Sequence, residues 1–172
     1  MVKTPHEPID VVDEQNKILY QTTKADAHAK GLLHRTVIAG VRDSRGRWTL
    51  VKQAADRQDA GQLVSPVGGH ARAGETEEDA LRREALEEIG LAEFDFVLKG
   101  RTIFQREVLG RNENHYFVMY EILTDEPLNL GDEAVDQETF SESELKRALR
   151  DNPARFGDAY HFIVREFYPH LL

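Results

Sequence analysis

The apolar positions fall into short β-like runs broken by polar turns, with two longer stretches of helical period. Ile9-Asp10-Val11-Val12 and Ile18-Leu19-Tyr20-Gln21 flank the polar Asp13-Glu14-Gln15-Asn16-Lys17, which predicts a hairpin over about residues 8–22. A short helix over 25–30 should stop at Gly31. Residues 33–41 are rich in strand formers, Asp43-Ser44-Arg45-Gly46 is a turn, and Trp48-Thr49-Leu50-Val51 resumes the strand character. A polar loop over 54–62 precedes Leu63-Val64-Ser65-Pro66-Val67-Gly68-Gly69-His70, a strand running into a glycine pair. Two long β-like runs, 94–107 and 115–123, flank a six-residue connection over 109–114. Residues 141–150 predict a helix opened by a capping box of Ser141 and Glu144. The tail over 154–172 is amphipathic and should pack on the core through Tyr160, Phe162, Ile163, Phe167 and Leu171. Strands and helices mix without strict βαβ alternation, so the expected class is α/β in the broad sense (α+β), a mixed sheet flanked by helices in one domain over 1–172.

The clearest helix runs from Thr76 to Ile89. Thr76 is a good N-cap, Glu77, Glu78 and Asp79 suit the positive end of the dipole, and Gly90 is a fitting stop. At about 100° per residue, Glu77, Glu84, Glu87 and Glu88 share one stripe with Ala80, beside the apolar stripe of Leu81, Ala85 and Ile89. The acids should therefore stand where the helix meets the body of the domain, at the rim of a cleft. Glu78 and Asp79 have Arg82 and Arg83 four residues on as partners, and Arg83 also reaches toward Glu87. Glu84 and Glu88 have no basic residue at the neighbouring turn positions. Like charges four apart cost only about 0.2–0.5 kcal/mol, so repulsion decides little, but the pattern asks for a cation from outside the helix.

Composition narrows the chemistry. The chain has 172 residues and no cysteine, which excludes disulfides, thiolate zinc sites and cysteine nucleophiles. Its net charge is -9, from 22 basic and 31 acidic side chains, and no Lys/Arg run marks a face for a nucleic-acid duplex. No apolar stretch is long enough to cross a bilayer. The opening MVKTPHEPIDVVDEQNK lacks the apolar core of a secretion signal, so a cytoplasmic protein without membrane contact is expected.

From Gly69 to Leu91 the sequence reads GHARAGETEEDALRREALEEIGL. Five residues separate Gly69 from Glu75, seven more precede Arg83, and Glu84, Glu87, Glu88, Gly90 and Leu91 follow. This resembles the Nudix box at every fixed position; Ala85 stands where a bulkier aliphatic is usual. The resemblance implies the Nudix fold, a mixed sheet sandwiched between helices. It implies Mg²⁺-dependent attack of water on a diphosphate linkage in a small-molecule substrate, with Mn²⁺ as a substitute. It assigns Glu84, Glu87 and Glu88 to the metal together with the Gly68 carbonyl, and gives Arg83 and Glu75 supporting parts. Such chemistry suits the residues: a hard divalent cation with oxygen ligands neutralises diphosphate oxygens and activates water, which lets an acidic protein hold an acidic substrate.

The flanks are similar to the isopentenyl-diphosphate-isomerase branch of that family. Leu33-His34-Arg35, Val67-Gly68-Gly69-His70 and Glu113-Asn114-His115 carry the similarity. It implies a second metal site at His34, His70 and Glu113, with His28 as a further matching position and His115 where a second glutamate is expected. Lys52 and Arg57 fall near positions that contact diphosphate. The isomerase needs a cysteine where this chain has Gly68, so a hydrolase is expected ahead of an isomerase or a non-catalytic nucleotide sensor. Glu113 and Glu133 are the candidates for general base. Trp48, Phe104 and Tyr116 read as core rather than as a base-stacking platform. The family resemblance also makes a homodimer an open expectation.

Overall fold

The computed structural model describes residues 5–172. Its elements are β1 (Pro8–Val12), β2 (Ile18–Thr23), α1 (Lys24–Lys30), β3 (His34–Arg42), β4 (Trp48–Gln53), β5 (Leu63–Val64), β6 (Val67–His70), α2 (Glu77–Ile89), β7 (Asp95–Val108), β8 (Arg111–Leu123), β9 (Ala134–Phe140), α3 (Glu142–Asp151) and α4 (Asp158–Phe167). Short 3-10 turns follow at Pro153–Arg155 and Pro169–Leu171.

Strand β3 organises the mixed sheet. It pairs antiparallel with β6, placing Thr36 opposite His70 and Ile38 opposite Gly68. On its other side it runs parallel to β8, with His34 opposite His115. β4 bridges β3, β5 and β9, and the β1–β2 hairpin adds an edge. Side chains alternate along β3 and β8. Val37, Ala39, Val41, Val118 and Ile122 pack under α2, with Leu81, Ala85 and Ile89. Ile38, Phe117 and Met119 face the opposite way, toward Leu145 and Leu149 of α3 and Ile163 and Val164 of α4. Both faces of the sheet are covered, which is why β3 reads as an unbroken buried run rather than an alternating one. The fold is thus the expected mixed sheet between helices.

Local signals placed most of these elements. Gly31 ends α1 and Gly90 ends α2, both left-handed (φ 64° and 70°), a conformation that spares glycine the Cβ clash. The Ser141–Glu144 capping box is formed in both directions. Three details differ from the sequence expectation. The β7–β8 connection is only Leu109-Gly110, both at positive φ, with Val108 already paired to Arg111. That is a two-residue hairpin turn whose twist matches the strands, so 111–114 belong to β8. The stretch 63–70 is two strands interrupted at Ser65-Pro66, since proline has no N–H for the ladder. Finally, Ala134–Phe140 forms β9 against β4; its polar Asp136-Gln137-Glu138-Thr139 hides a strand whose pairing comes from residues far away in sequence. Among the described residues no helix is long and apolar enough to cross a membrane.

Candidate metal centres

Helix α2 carries the acidic cluster. The Thr76 hydroxyl accepts from the Asp79 amide at 3.1 Å, a cap worth about 1 kcal/mol, and Leu81, Ala85 and Ile89 are fully buried. Anchored this way, α2 turns Glu84, Glu87 and Glu88 toward β6. Glu84 is 1% exposed and its carboxylate lies directly on Gly69, where a Cβ would collide with it. Glycine is required at that position by this close approach rather than by a turn. The Gly68 amide donates to Glu88 Oε2 at 2.8 Å.

Arg83 ties the cluster together. It donates to Glu75 at 2.8 and 3.0 Å, to Glu84 at 2.8 Å and to the His70 carbonyl at 3.0 Å, with Glu87 at 3.8 Å. Burial works against its charge, yet the Glu75 hydrogen bonds and the Glu84 charge outweigh that and hold it more firmly cationic than usual. For Glu75 burial likewise favours the neutral form, but the Arg83 and Arg72 hydrogen bonds win and lower its pKa. The expected pairing of Asp79 with Arg83 is replaced by this network, and Glu84 does have a basic partner, its neighbour Arg83. Arg82, expected to pair with Glu78, lies over the rings of Phe94 and Phe96. Glu77, on the same stripe, is drawn off by Arg101 at 2.7 Å and Asn16 at 2.8 Å. Asp10 pins the preceding loop by accepting from Arg35 at 2.8 Å and the Gly74 amide at 3.0 Å.

A cavity of about 520 Å³ opens beside this cluster. Glu87, Glu88, Gly68 and Gly69 line one side, and Arg57 and Glu133 stand across it. The Asn129 and Gly131 amides donate to the Ile89 and Glu88 carbonyls at 2.9 and 3.0 Å, and this docking of the loop on α2 brings Glu133 into the cavity. Arg57 is 3.8 Å from Glu133. The apolar wall is Ile38, Val64, Phe104, Phe117, Tyr160 and Ile163, so Phe104 serves both core and cavity. Lys52 is exposed and lines a separate hollow of about 160 Å³ with Asp136 and Glu138.

Through His70 and His115 the cavity also reaches a second cluster. His28 from α1, His34 from β3, His70 from β6 and His115 from β8 bring one ring nitrogen each within 4.8 Å of one another. Their ring centroids lie 4.8–6.0 Å apart in all six pairings. His34 Nδ1 donates to the Leu32 carbonyl at 2.7 Å, which leaves its Nε2 lone pair facing the cluster. His34 Nε2 and His115 Nε2 are buried with no hydrogen-bond partner among the described residues, and His28 Nε2 lies 3.2 Å from His70 Nε2. Burial, with the neighbouring cations, pushes His28 and His34 down to about 4 and His70 and His115 well below the usual imidazole range. All four are neutral at pH 7. Such a set could hold a metal ion. Glu113, which the family resemblance grouped with His34 and His70, instead accepts from Arg106 and Arg111 at 3.1 Å each. His115 was legible only as a position where glutamate was expected; its parallel register opposite His34 is what brings it in.

Comparisons with known proteins agree with this architecture. The NUDIX domain model matches residues 32–160. The chain is similar to an uncharacterized Nudix hydrolase of Yersinia pestis, 35% identical over 58% of this chain and 55% of that protein. It is also similar to isopentenyl-diphosphate delta-isomerase 2 of Photorhabdus laumondii, 39% identical over 52% of this chain and 49% of that one. The matched region thus spans about half the length of the curated relatives. Among solved structures, a Deinococcus radiodurans protein superposes with a TM-score of 0.74 at 22% identity, over 94% of this chain and 99% of the other. A Caenorhabditis elegans Ap4A hydrolase does so with 0.58 at 17%, over 80% and 97%. These two likenesses concern the fold.

Proposed function

The chain belongs to the NUDIX domain family, and from that premise we propose that it is a Mg²⁺-dependent hydrolase of a diphosphate linkage in a nucleoside diphosphate derivative or a similar small metabolite. The observation that carries this reading is the convergence of a complete box on one cavity: Glu87 and Glu88 line it, Glu84 stands behind them against Gly69, and Gly68 is bonded to Glu88.

Glu84, Glu87 and Glu88, with Gly68, would hold the ion. The donor set fits it: carboxylate oxygens crowd a spot where glycine leaves room, and Arg83 is bonded to Glu84 beside it. When bound, Mg²⁺ supplies charge neutralisation for the diphosphate oxygens and a lowered pKa for the attacking water. Arg83 orients Glu75 and Glu84 and holds Glu75 ionised. Glu133 faces the cavity and takes the proton from the attacking water, while Arg57 beside it contacts a phosphate oxygen. The water oxygen bonds to phosphorus, the bridging P–O bond breaks, and the proton ends on the departing phosphate. Glu113 is the weaker candidate for base, because Arg106 and Arg111 occupy both of its oxygens. Neither the isomerase nor the sensor reading gains an observation: Gly68 offers no acid for a carbon-centred proton transfer, and the box carboxylates are intact.

The direct test is release of phosphate or nucleoside monophosphate from a panel of nucleoside diphosphate derivatives with and without Mg²⁺. Turnover of at least one member, abolished by chelation and restored by Mg²⁺, is expected. Metal-independent turnover, or none on any member, overturns the reading.

A further inference from the structure

We propose that Tyr160 is a specificity-determining residue: its hydroxyl hydrogen-bonds an uncharged acceptor on the organic group of the substrate. The site then takes diphosphates of groups that carry such an acceptor, as a nucleoside does through its base, and discriminates against hydrocarbon ones. This rests on the hydrolase reading for the place of the diphosphate and deepens it by choosing the class of the attached group.

The cavity is chemically divided. Glu87, Glu88, Arg57 and Glu133 give it an ionic side, and Ile38, Val64, Phe117, Tyr160 and Ile163 an apolar one. With the diphosphate on the ionic side, the group it carries falls to the apolar wall. A buried tyrosine usually finds a partner for its hydroxyl. Tyr168 does so, donating to Glu121 at 2.8 Å. Tyr160 is equally buried, at 7% exposed, yet its hydroxyl makes no hydrogen bond among the described residues, and burial alone raises its pKa above the usual phenol range. It stays protonated and neutral, a donor that can meet a carbonyl oxygen or a ring nitrogen but cannot balance a charge.

The phenol is also held in place. The Gly157 amide donates to the Leu63 carbonyl at 3.0 Å, which fixes the start of α4 on β5, and Tyr160 stacks on Phe156 with centroids 5.7 Å apart and planes at 22°. A group ordered in advance loses little freedom when a ligand arrives. The other rings of the wall are already engaged: Phe104 packs on Phe117 at 5.2 Å and on Phe162 at 4.7 Å, with the Arg106 guanidinium 5.5 Å away. Selectivity on this wall therefore falls to the phenol rather than to ring stacking. A hydrocarbon group would shut the hydroxyl off from water and give it no partner, and an unmade hydrogen bond costs more than a made one gains.

The experiment uses the full-length protein in Mg²⁺, with calorimetric binding of the methylene-bridged analogues of ADP, GDP, CDP and UDP and of n-butyl diphosphate. At least one nucleoside analogue is expected to bind on the order of 100-fold more tightly than the butyl compound. Tyr160→Phe, which removes only the hydroxyl, should weaken that analogue by on the order of 10-fold and leave the butyl compound as tight as before or tighter. With the matching hydrolysable substrate, KM should rise by the same factor at unchanged kcat. A merely structural role would move both ligands together. The proposal is overturned if the butyl compound binds as well as every nucleoside analogue, if none of the five binds, or if Tyr160→Phe affects both classes alike or neither. Selective binding without Mg²⁺-dependent turnover would sink the hydrolase reading and leave the role of Tyr160 standing.

Discussion

The two clusters that share one cavity solve the burial of polar groups in opposite ways. The glutamate cluster is satisfied by local hydrogen bonds, with Arg83 bonded to Glu75 and Glu84 and the Gly68 amide on Glu88. The histidine cluster gives up charge: burial drives its four rings neutral. A charged oxygen set is suited to a hard ion that exchanges ligands with an anionic substrate. A neutral nitrogen set is suited to an ion that is held. The contrast also shows that proximity to one cavity does not make two sites chemically alike, because each inherits its character from the partners its own elements supply.

The comparison is broken most forcefully by Glu88→Gln. Turnover should fall by a factor on the order of 100 or more at unchanged fold, because the carboxylate charge is lost while its shape remains. Steady-state kinetics with circular dichroism checks this. Unaltered kcat would remove Glu88 from the chemistry.

Acid should act on the other cluster. A histidine whose pKa is about 4 when folded and 6.5 when unfolded binds protons only in the unfolded chain across that window. Stability is therefore fully present above about pH 6.5 and is lost as pH falls toward 4. For the metal-stripped protein the loss between pH 7 and 5 should be of order 1–2 kcal/mol for each such ring, read from urea midpoints. A flat profile there would mean that the rings are not buried neutral.

Gly69→Ala couples the two sides. Its Cβ would strike the Glu84 carboxylate, so about 1–3 kcal/mol of stability should be lost and the Mg²⁺ requirement raised, with the histidine cluster one residue on still intact. Denaturant titration and a Mg²⁺ activation curve measure both, and a neutral outcome would place Glu84 elsewhere. The smallest effect is a control remote from both centres. Ser141→Ala removes the reciprocal cap on α3 and should cost about 1 kcal/mol with kcat unchanged; altered turnover would show that α3 shapes the cavity.

The sequence by itself determined what is encoded within a helical turn or a tight turn. Helix α2, its Thr76 and Gly90 caps, the stripe of Glu84, Glu87 and Glu88 and the Ser141–Glu144 box all depend on partners three or four residues apart, and spacing alone exposes such partners. Tertiary structure decided the rest. Polar β9 became a strand only because β4 pairs with it, and Arg83 chose Glu75 and Glu84 over Asp79 because the loop pinned by Asp10 folds back onto α2. Of the four histidines, spread from 28 to 115, His34, His70 and His115 meet through the β3–β6 and β3–β8 registers, and His28 joins them from α1. Register sets which face every residue of a strand presents, and no local spacing in the chain records it.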